Sequence, residues 1–329
     1  MRLLYLTDTH IRGTSPRSRI DDFSEALRHK LTEIREIAER EQVDVILHGG
    51  DVFDRPNLSP SVVREFARLF RDLAVPIYAI AGNHDIYGHN PDTIDRTMLG
   101  LLDAFGTIRL LQTGEVISLE KDGITVQLTG QSFHYDLDKR SCRLDYCVEN
   151  QIGAKYCIHM VHGMLVDRAL PDSVAHTMVQ HLFEQENQAD ILLTGHYHAG
   201  FPIRERSGKY IVNPGALARI NNHPSEIGRM PQVALIDLTD GIQIQLIPLA
   251  CAAKGETVID RSYLEQAAYR QEKLAAFVQE VESVNDFKVI GVGEIIETIA
   301  HAEKVDEEVK FEAMRRISVA EQDEGETNL

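Results

Sequence analysis

Lysine and arginine are scarce in this 329-residue chain: 34 stand against 51 aspartates and glutamates, for a formal net charge of −17. Affinity for phosphate backbones rests on Lys and Arg displacing condensed cations, so a chain this acidic is a poor autonomous binder of DNA or anionic lipid. A phosphate substrate stays open, because bound metal ions invert the local field. Cysteine is scarce too: Cys142, Cys147, Cys157 and Cys251 show no CxxC spacing. That fits reduced thiols in a cytoplasmic protein better than zinc or disulfides. No stretch approaches the roughly 18–20 consecutive apolar residues of a membrane span. The opening Met1-Arg2-Leu3-Leu4-Tyr5-Leu6-Thr7-Asp8 is too short an apolar run for a signal peptide. The expectation is a cytoplasmic chain with no membrane association.

What is present reads as globular. Hydrophobic residues make up 43% and charged residues 26%, which excludes wholesale disorder. The length suits a large catalytic domain with a smaller appendage, and the boundary is expected at 249/250. In residues 1–85, apolar runs at 3–7, 43–47 and 75–80 alternate with two amphipathic segments. The first segment, capped by Asp21 or Asp22, repeats Phe23, Leu27, Leu31, Ile34 and Ile37 at helical spacing; the second covers 61–73. This βαβαβ order argues for a parallel sheet with helices packed on it. From 108 onward short strand-like runs follow one another, with one helical stretch around 174–184. Two packed sheets flanked by helices are expected. Residues 255–329 hold 18 acids and 8 bases and read as helices over 264–284, 292–302 and 307–320, with a frayed end.

Five short clusters stand at the ends of apolar runs: Asp8-Thr9-His10, Gly50-Asp51-Val52-Phe53-Asp54, Gly82-Asn83-His84-Asp85, His162-Gly163 and Gly195-His196-Tyr197-His198. In an extended segment residues i and i+2 point the same way, so Asp8 with His10, and His196 with His198, can each place two ligands on one site. Ligands of open α/β sheets sit beyond the carboxyl ends of strands, where these clusters fall. One cluster alone would be a turn; five in this order gather imidazoles, carboxylates and an amide that would be costly to bury without cations.

This order of motifs resembles the calcineurin-like metallophosphoesterase superfamily over roughly residues 1–220. The resemblance implies an α/β fold, a four-layer α/β/β/α sandwich with a small helical C-terminal extension, and two divalent metal ions per chain. Asp8, His10 and His198 would hold one metal, Asp51 would bridge, and Asn83, His162 and His196 would hold the other. His84 would be the catalytic imidazole and Asp85 would orient it from behind. Two cations about 3.5–4 Å apart can bind both non-bridging oxygens of a phosphodiester and lower the pKa of a bridging water, whose hydroxide then attacks phosphorus. A bridging ligand must offer two oxygens, which a carboxylate does and an imidazole does not.

Within that superfamily, His48-Gly49-Gly50-Asp51-Val52-Phe53-Asp54, Ala81-Gly82-Asn83-His84-Asp85 and Val212-Asn213-Pro214-Gly215-Ala216 look similar to SbcD-type DNA nuclease subunits and their phage relatives. The metal implied is Mn2+, with Fe2+, Zn2+ and Mg2+ as alternatives. The partners implied are a DNA substrate, an SMC-like ATPase of the SbcC type docking on 255–329, and a second copy of the chain. Asp54 departs from the pattern, standing where some family nucleases carry a second catalytic histidine. Arg12, Arg17, Arg19, Arg55 and Arg219 lie near the clusters as candidate phosphate contacts, against the plainer reading of solvated loop charges. His48 reads as a core histidine, and His159, three residues before His162, faces the opposite side of its strand. His89, His134, His176, His181, His223 and His301 have no partner spacing. The function expected is a two-metal DNA nuclease; the alternatives are a free-standing phosphoesterase on cyclic nucleotides, small phosphodiesters or phosphoproteins, and a scaffold with a vestigial site.

Overall fold

A computed structural model describes residues 1–260, 262, 273, 299–301, 303, 305–313 and 315–316. The chain divides into two compact units, Met1–Arg261 and Ser262–Leu329. The first unit runs beyond the expected boundary at 249/250, because Leu249, Ala252, Val258 and Ile259 are buried in it.

Strands β1 (Arg2–Leu6), β2 (Val45–His48), β3 (Ile77–Ala79) and β4 (Arg109–Leu110) are followed by β5 (Ile117–Lys121), β6 (Ile124–Gln131) and β7 (Tyr156–Val161). A short pair, β8 (Leu165–Val166) and β9 (Thr177–Met178), precedes β10 (Ile191–Thr194), β11 (Phe201–Arg206), β12 (Lys209–Asn213), β13 (Gln232–Asp237) and β14 (Gln243–Pro248). One six-stranded sheet has the order β14-β13-β1-β2-β3-β4 and the other β11-β12-β10-β7-β6-β5. The central strands β1, β2, β3 and β4 are parallel, as are β12, β10, β7 and β6.

The period-2 alternation of β1 builds the layers. Leu3 and Tyr5 face the second sheet, packing with Val126, Leu128, Ile158 and Met160. Leu4 and Leu6 face outward into a cluster with Phe23, Leu27, Leu31 and Ile34 of α1 (Phe23–Arg40) and Phe66 and Phe70 of α2 (Pro60–Arg71). A third cluster, with Val161, Leu192, Tyr146 and Leu182, covers the outer face of the second sheet. The result is the four-layer α/β/β/α sandwich. Asp22 caps α1 by accepting the Glu25 amide at 2.9 Å, which fixes where the helix starts.

Three segments differ from the expectation. Over 174–184 only Val179–Phe183 is helical, because Thr177 and Met178 pair with β8 before the helix begins. Met98–Ala104 is a helix that the sequence hides, since seven residues show barely two turns of periodicity; Thr97 caps it by accepting the Gly100 amide at 3.1 Å. The polar edge strand β11 has no apolar run to betray it. The expected helices 264–284 and most of 292–302 lie outside the described residues, while 307–313 are helical.

Candidate active site

The parallel strands β1, β2 and β3 end on the same edge as β7 and β10, and the five clusters are the loops that leave those ends. The Asp8 amide donates to Gly50 O at 3.0 Å and the His10 amide to Asp51 O at 3.0 Å, which zips the first two loops together. Four of the candidate ligands adopt left-handed backbone: Asp8 (φ 55°), His10 (43°), Asp51 (51°) and His196 (72°). Such conformations cost about 1–3 kcal/mol each in non-glycine residues and persist where surrounding structure enforces them. Close approach is secured by glycine. A Cβ on Gly82 would lie 2.1 Å from Asp51 Oδ1, and one on Gly195 would lie 2.2 Å from Thr7 Oγ1.

The side chains form two groups with Asp51 in both: Asp8, His10, Asp51 and His198 in one, and Asp51, His162 and His196 in the other. His10 and His198 turn their Nε2 atoms on each other at 3.0 Å. His198 Nε2 stands 3.5 Å from Asp8 Oδ1, and His162 Nε2 stands 3.3 Å from Asp51 Oδ2. Asn83 brings its Oδ1, buried and without a hydrogen-bond partner, between Gly82 and His84.

Tautomers follow from the partners. His162 Nδ1 lies 2.7 Å from Gly49 O, and a carbonyl can only accept, so Nδ1 carries a proton and Nε2 is the atom turned toward Asp51 Oδ2. Asp51 Oδ1 accepts the His84 amide at 2.8 Å, while its Oδ2 has no donor. Burial alone would raise Asp51, but His162 and His10 hold it well below the carboxylate range. Burial likewise opposes charge on His162, yet Asp51 lifts that ring to about 9. His10 and His196 are pushed down to about 3 by burial. The two carboxylates, Asp8 and Asp51, are thus held ionised in a buried pocket, with Asp51 favouring charge on His162 and burial opposing it on His10 and His196. Asp51 Oδ2 and His162 Nε2, facing each other without a hydrogen bond, are atoms of the type that divalent cations take, with Asp51 common to two groups, and Asn83 Oδ1 is a further buried orphan of that type.

Around this set, His84 is partly exposed, and its Nδ1 donates to Asp54 O at 2.8 Å. The Asp85 carboxylate is spent on three backbone amides: Val52 at 3.2 Å, Phe53 at 2.9 Å and Gly82 at 2.9 Å. It clamps two loops together, and the Asp54 carbonyl, not Asp85, sets the His84 ring. The Asp54 side chain lies with His10 and His84 and accepts from Arg12 Nη1 at 3.3 Å, so Arg12 stands at the mouth. Arg17 and Arg55 are exposed.

Arg19 and Arg219 are turned into the fold. Arg219 is 2% exposed and donates to Ala253 O and Arg229 O, and Arg19 pairs with Asp21 and donates to Arg219 O. Two residues carry no sequence signal, since both come from short connecting segments. Glu226, 1% exposed, stands 3.9 Å from His198 Nδ1, and the Phe133 ring lies 5.4 Å from the His196 ring. His48 and His159 are buried as core residues; His159 donates to Asp145 O at 2.9 Å on the far side of its strand.

A double sheet whose strand ends gather histidines, carboxylates and an amide around one shared aspartate defines a metallohydrolase scaffold. The family model for calcineurin-like phosphoesterases matches residues 1–200, and the chain belongs to that family. Its members bind two divalent metals. Among curated proteins, the chain is 31% identical over 118 residues to the DNA double-strand break repair protein Mre11 of Sulfolobus acidocaldarius, covering 34% of this chain and 29% of that protein. It is 35% identical over 99 residues to the SbcD component of the nuclease SbcCD of Bacillus subtilis, covering 29% and 23%. The matches thus span less than a third of either relative. Among solved structures, the calcineurin-like phosphoesterase YfkN from Bacillus subtilis aligns with 82% of this chain and 97% of its own at 15% identity, with a TM-score of 0.46. Among the described residues no helix is long and apolar enough to cross a membrane.

Proposed function

We propose that the chain is a two-cation phosphodiesterase acting on DNA, an SbcD-like nuclease component. The observation that carries the phosphodiesterase part is the pair of donor groups sharing Asp51, with Asp51 Oδ2, Asn83 Oδ1 and His162 Nε2 buried and unsatisfied. Asp8, His10, Asp51 and His198 would hold one cation, and Asp51, Asn83, His162 and His196 the other. When bound, the cations supply Lewis-acid activation of water and of the phosphoryl oxygens. Mn2+ is the metal proposed, since carboxylate and amide oxygens suit it, while the imidazoles keep Fe2+ and Zn2+ as alternatives.

The chain's own residues do the rest. Asp51 would serve both positions, and its Oδ1 anchors the His84 amide. With Nδ1–H given to Asp54 O, His84 has Nε2 free, and a proton carried there can pass to the leaving oxygen. Arg12, held by Asp54, and the exposed Arg17 and Arg55 would be the cations that meet the flanking phosphates. DNA as the substrate is supported by the similarity to Mre11 and to the SbcCD nuclease, and an SbcC-type ATPase is the partner that the same similarity suggests.

The test is a gel assay of the purified chain on linear duplex and single-stranded DNA, with Mn2+ and with chelator, beside the Asp51→Ala variant. Cleavage that needs metal and Asp51 supports the proposal. Hydrolysis of a small chromogenic phosphodiester without cleavage of either DNA would replace it with a free-standing phosphoesterase.

A further inference from the structure

Behind the metal-type site lies a group of buried cations that the proposed reaction does not use. Arg19 is 8% exposed, Lys30 4% and Arg219 2%. They line a cavity of about 220 Å³ together with Ala26 of α1 and Ala253 from the segment after β14. Counter-charges are unequally shared. Arg19 pairs with Asp21 at 2.6 Å, and the neighbouring Arg229 pairs with Glu226 at 2.8 Å. Lys30 and Arg219 have no carboxylate: Lys30 Nζ donates to Leu217 O at 2.7 Å, and Arg219 gives its two terminal nitrogens to Ala253 O and Arg229 O. Arg219 Nε is buried without an acceptor. Carbonyl oxygens satisfy N–H groups without cancelling charge, and two uncompensated buried cations side by side are costly.

We infer that this cavity binds a small oxyanion of the phosphate type. Its size falls below the roughly 300 Å³ at which pockets begin to take drug-sized ligands, so a phosphate group fits and a whole nucleotide does not. Three acids stand at its edge: Asp21 is engaged by Arg19, Asp22 accepts the Glu25 amide, and Glu25 itself is exposed. Burial and the neighbouring guanidinium groups push Lys30 down to about 7, a tension that a bound anion relieves.

The site is joined to the active centre by one segment. Leu217, whose carbonyl takes Lys30, donates its amide to Thr7 O at 2.9 Å, and Ala218 donates to Asp8 O at 3.1 Å. Ala216 donates to His198 O at 3.0 Å. An anion that neutralises Lys30 and Arg219 thereby firms the backbone on which Asp8 and His198 are mounted. The inference stands on this cluster alone and is independent of whether DNA is the substrate.

Thermal unfolding of the full-length, metal-loaded chain tests it, with inorganic phosphate titrated against chloride at matched ionic strength. The wild type is compared with Lys30→Met, which removes one cation, and with Ala26→Glu, which places a carboxylate in the cavity. The metal centre also attracts phosphate, but equally in all three chains, so differences between them read the cavity. The wild type is expected to show a saturable extra rise in Tm of about 2–3 °C at tenfold the dissociation constant. Ala26→Glu should start from a higher Tm in chloride and show no extra rise, and Lys30→Met should show none either. A second arm with methyl phosphate, a monoester small enough for the cavity, separates sources: a rise equal to that with phosphate identifies a phosphate monoester as the ligand, and no rise identifies the free ion. An identical response in wild type and Ala26→Glu, or one that grows without saturating as salting-out does, would overturn the inference.

Discussion

Asp51 does three things at once. It turns the chain through a left-handed φ of 51°, fixes the His84 amide through Oδ1, and presents an unpartnered Oδ2 to both donor groups. Asp51→Ala is therefore expected to lose both cations as well as activity, which elemental analysis of the purified variant measures; two tightly held metals per chain would show that the bridge lies elsewhere. His84→Ala should behave oppositely. Its ring faces the mouth and is tied only to a backbone carbonyl, so the variant should keep its metals and lose turnover by about 100- to 10,000-fold, the usual worth of general acid–base help. At this scale the candidate donors were legible through strand-end position alone; the expected i, i+2 alternation does not hold, since Asp8, His10 and His196 lie past the strand ends in left-handed backbone and His196 and His198 fall in different groups. The arginines were not. Arg12 and Arg219 look alike in one dimension, yet one is held at the mouth by Asp54 and the other is sealed under Ala253 and Arg229. Whether a loop cation meets solvent or a buried carbonyl is decided by distant segments.

Helix α1 shows both how much of an element the sequence declares and what it conceals. Its stripe of Phe23, Leu27, Leu31, Ile34 and Ile37 is buried as the periodicity predicts, and the same face buries Lys30. A lysine on a buried stripe has a measurable signature. Free in the unfolded chain it titrates near 10.5, and in the fold near 7. Between those values the unfolded state holds a proton that the native state lacks, so raising the pH favours folding. Stability should climb from pH 7 toward 10 with a Lys30-dependent slope approaching about 1.4 kcal/mol per pH unit. Urea denaturation of wild type and Lys30→Met in phosphate-free buffer checks it, and parallel pH profiles would refute it. Short elements such as Met98–Ala104 stayed illegible because seven residues hold too few repeats, and the capping Thr97 reads like any loop threonine.

Over the whole molecule, every candidate donor lies before Gly200, while the first compact unit closes only at Arg261. A chain ending at Arg261 is thus expected to fold and to hydrolyse a small chromogenic phosphodiester at the full-length rate, while no longer co-purifying with an SbcC-type ATPase. Aggregation of that shortened chain, or loss of small-substrate turnover, would assign 262–329 to the catalytic body. The two-sheet architecture was legible from alternating runs, but strand order was not. Nothing local announces that β13, more than two hundred residues downstream, pairs with β1 through Leu4 and Leu235.

That long reach sets a timetable for the protein's own synthesis. Both donor groups need a histidine of the His196–His198 pair beside residues near the start of the chain. The backbone that braces Asp8 arrives later still, with Leu217 and Ala218. On the proposed ligand set a ribosome-bound chain has neither cation position complete for about its first two hundred residues, and each earlier cluster leaves the ribosome with only one or two donors and little hold on metal. On that proposed site metallation is the last act of assembly, and a chain stalled before the His196–His198 pair emerges is expected to leave a metal-free fragment.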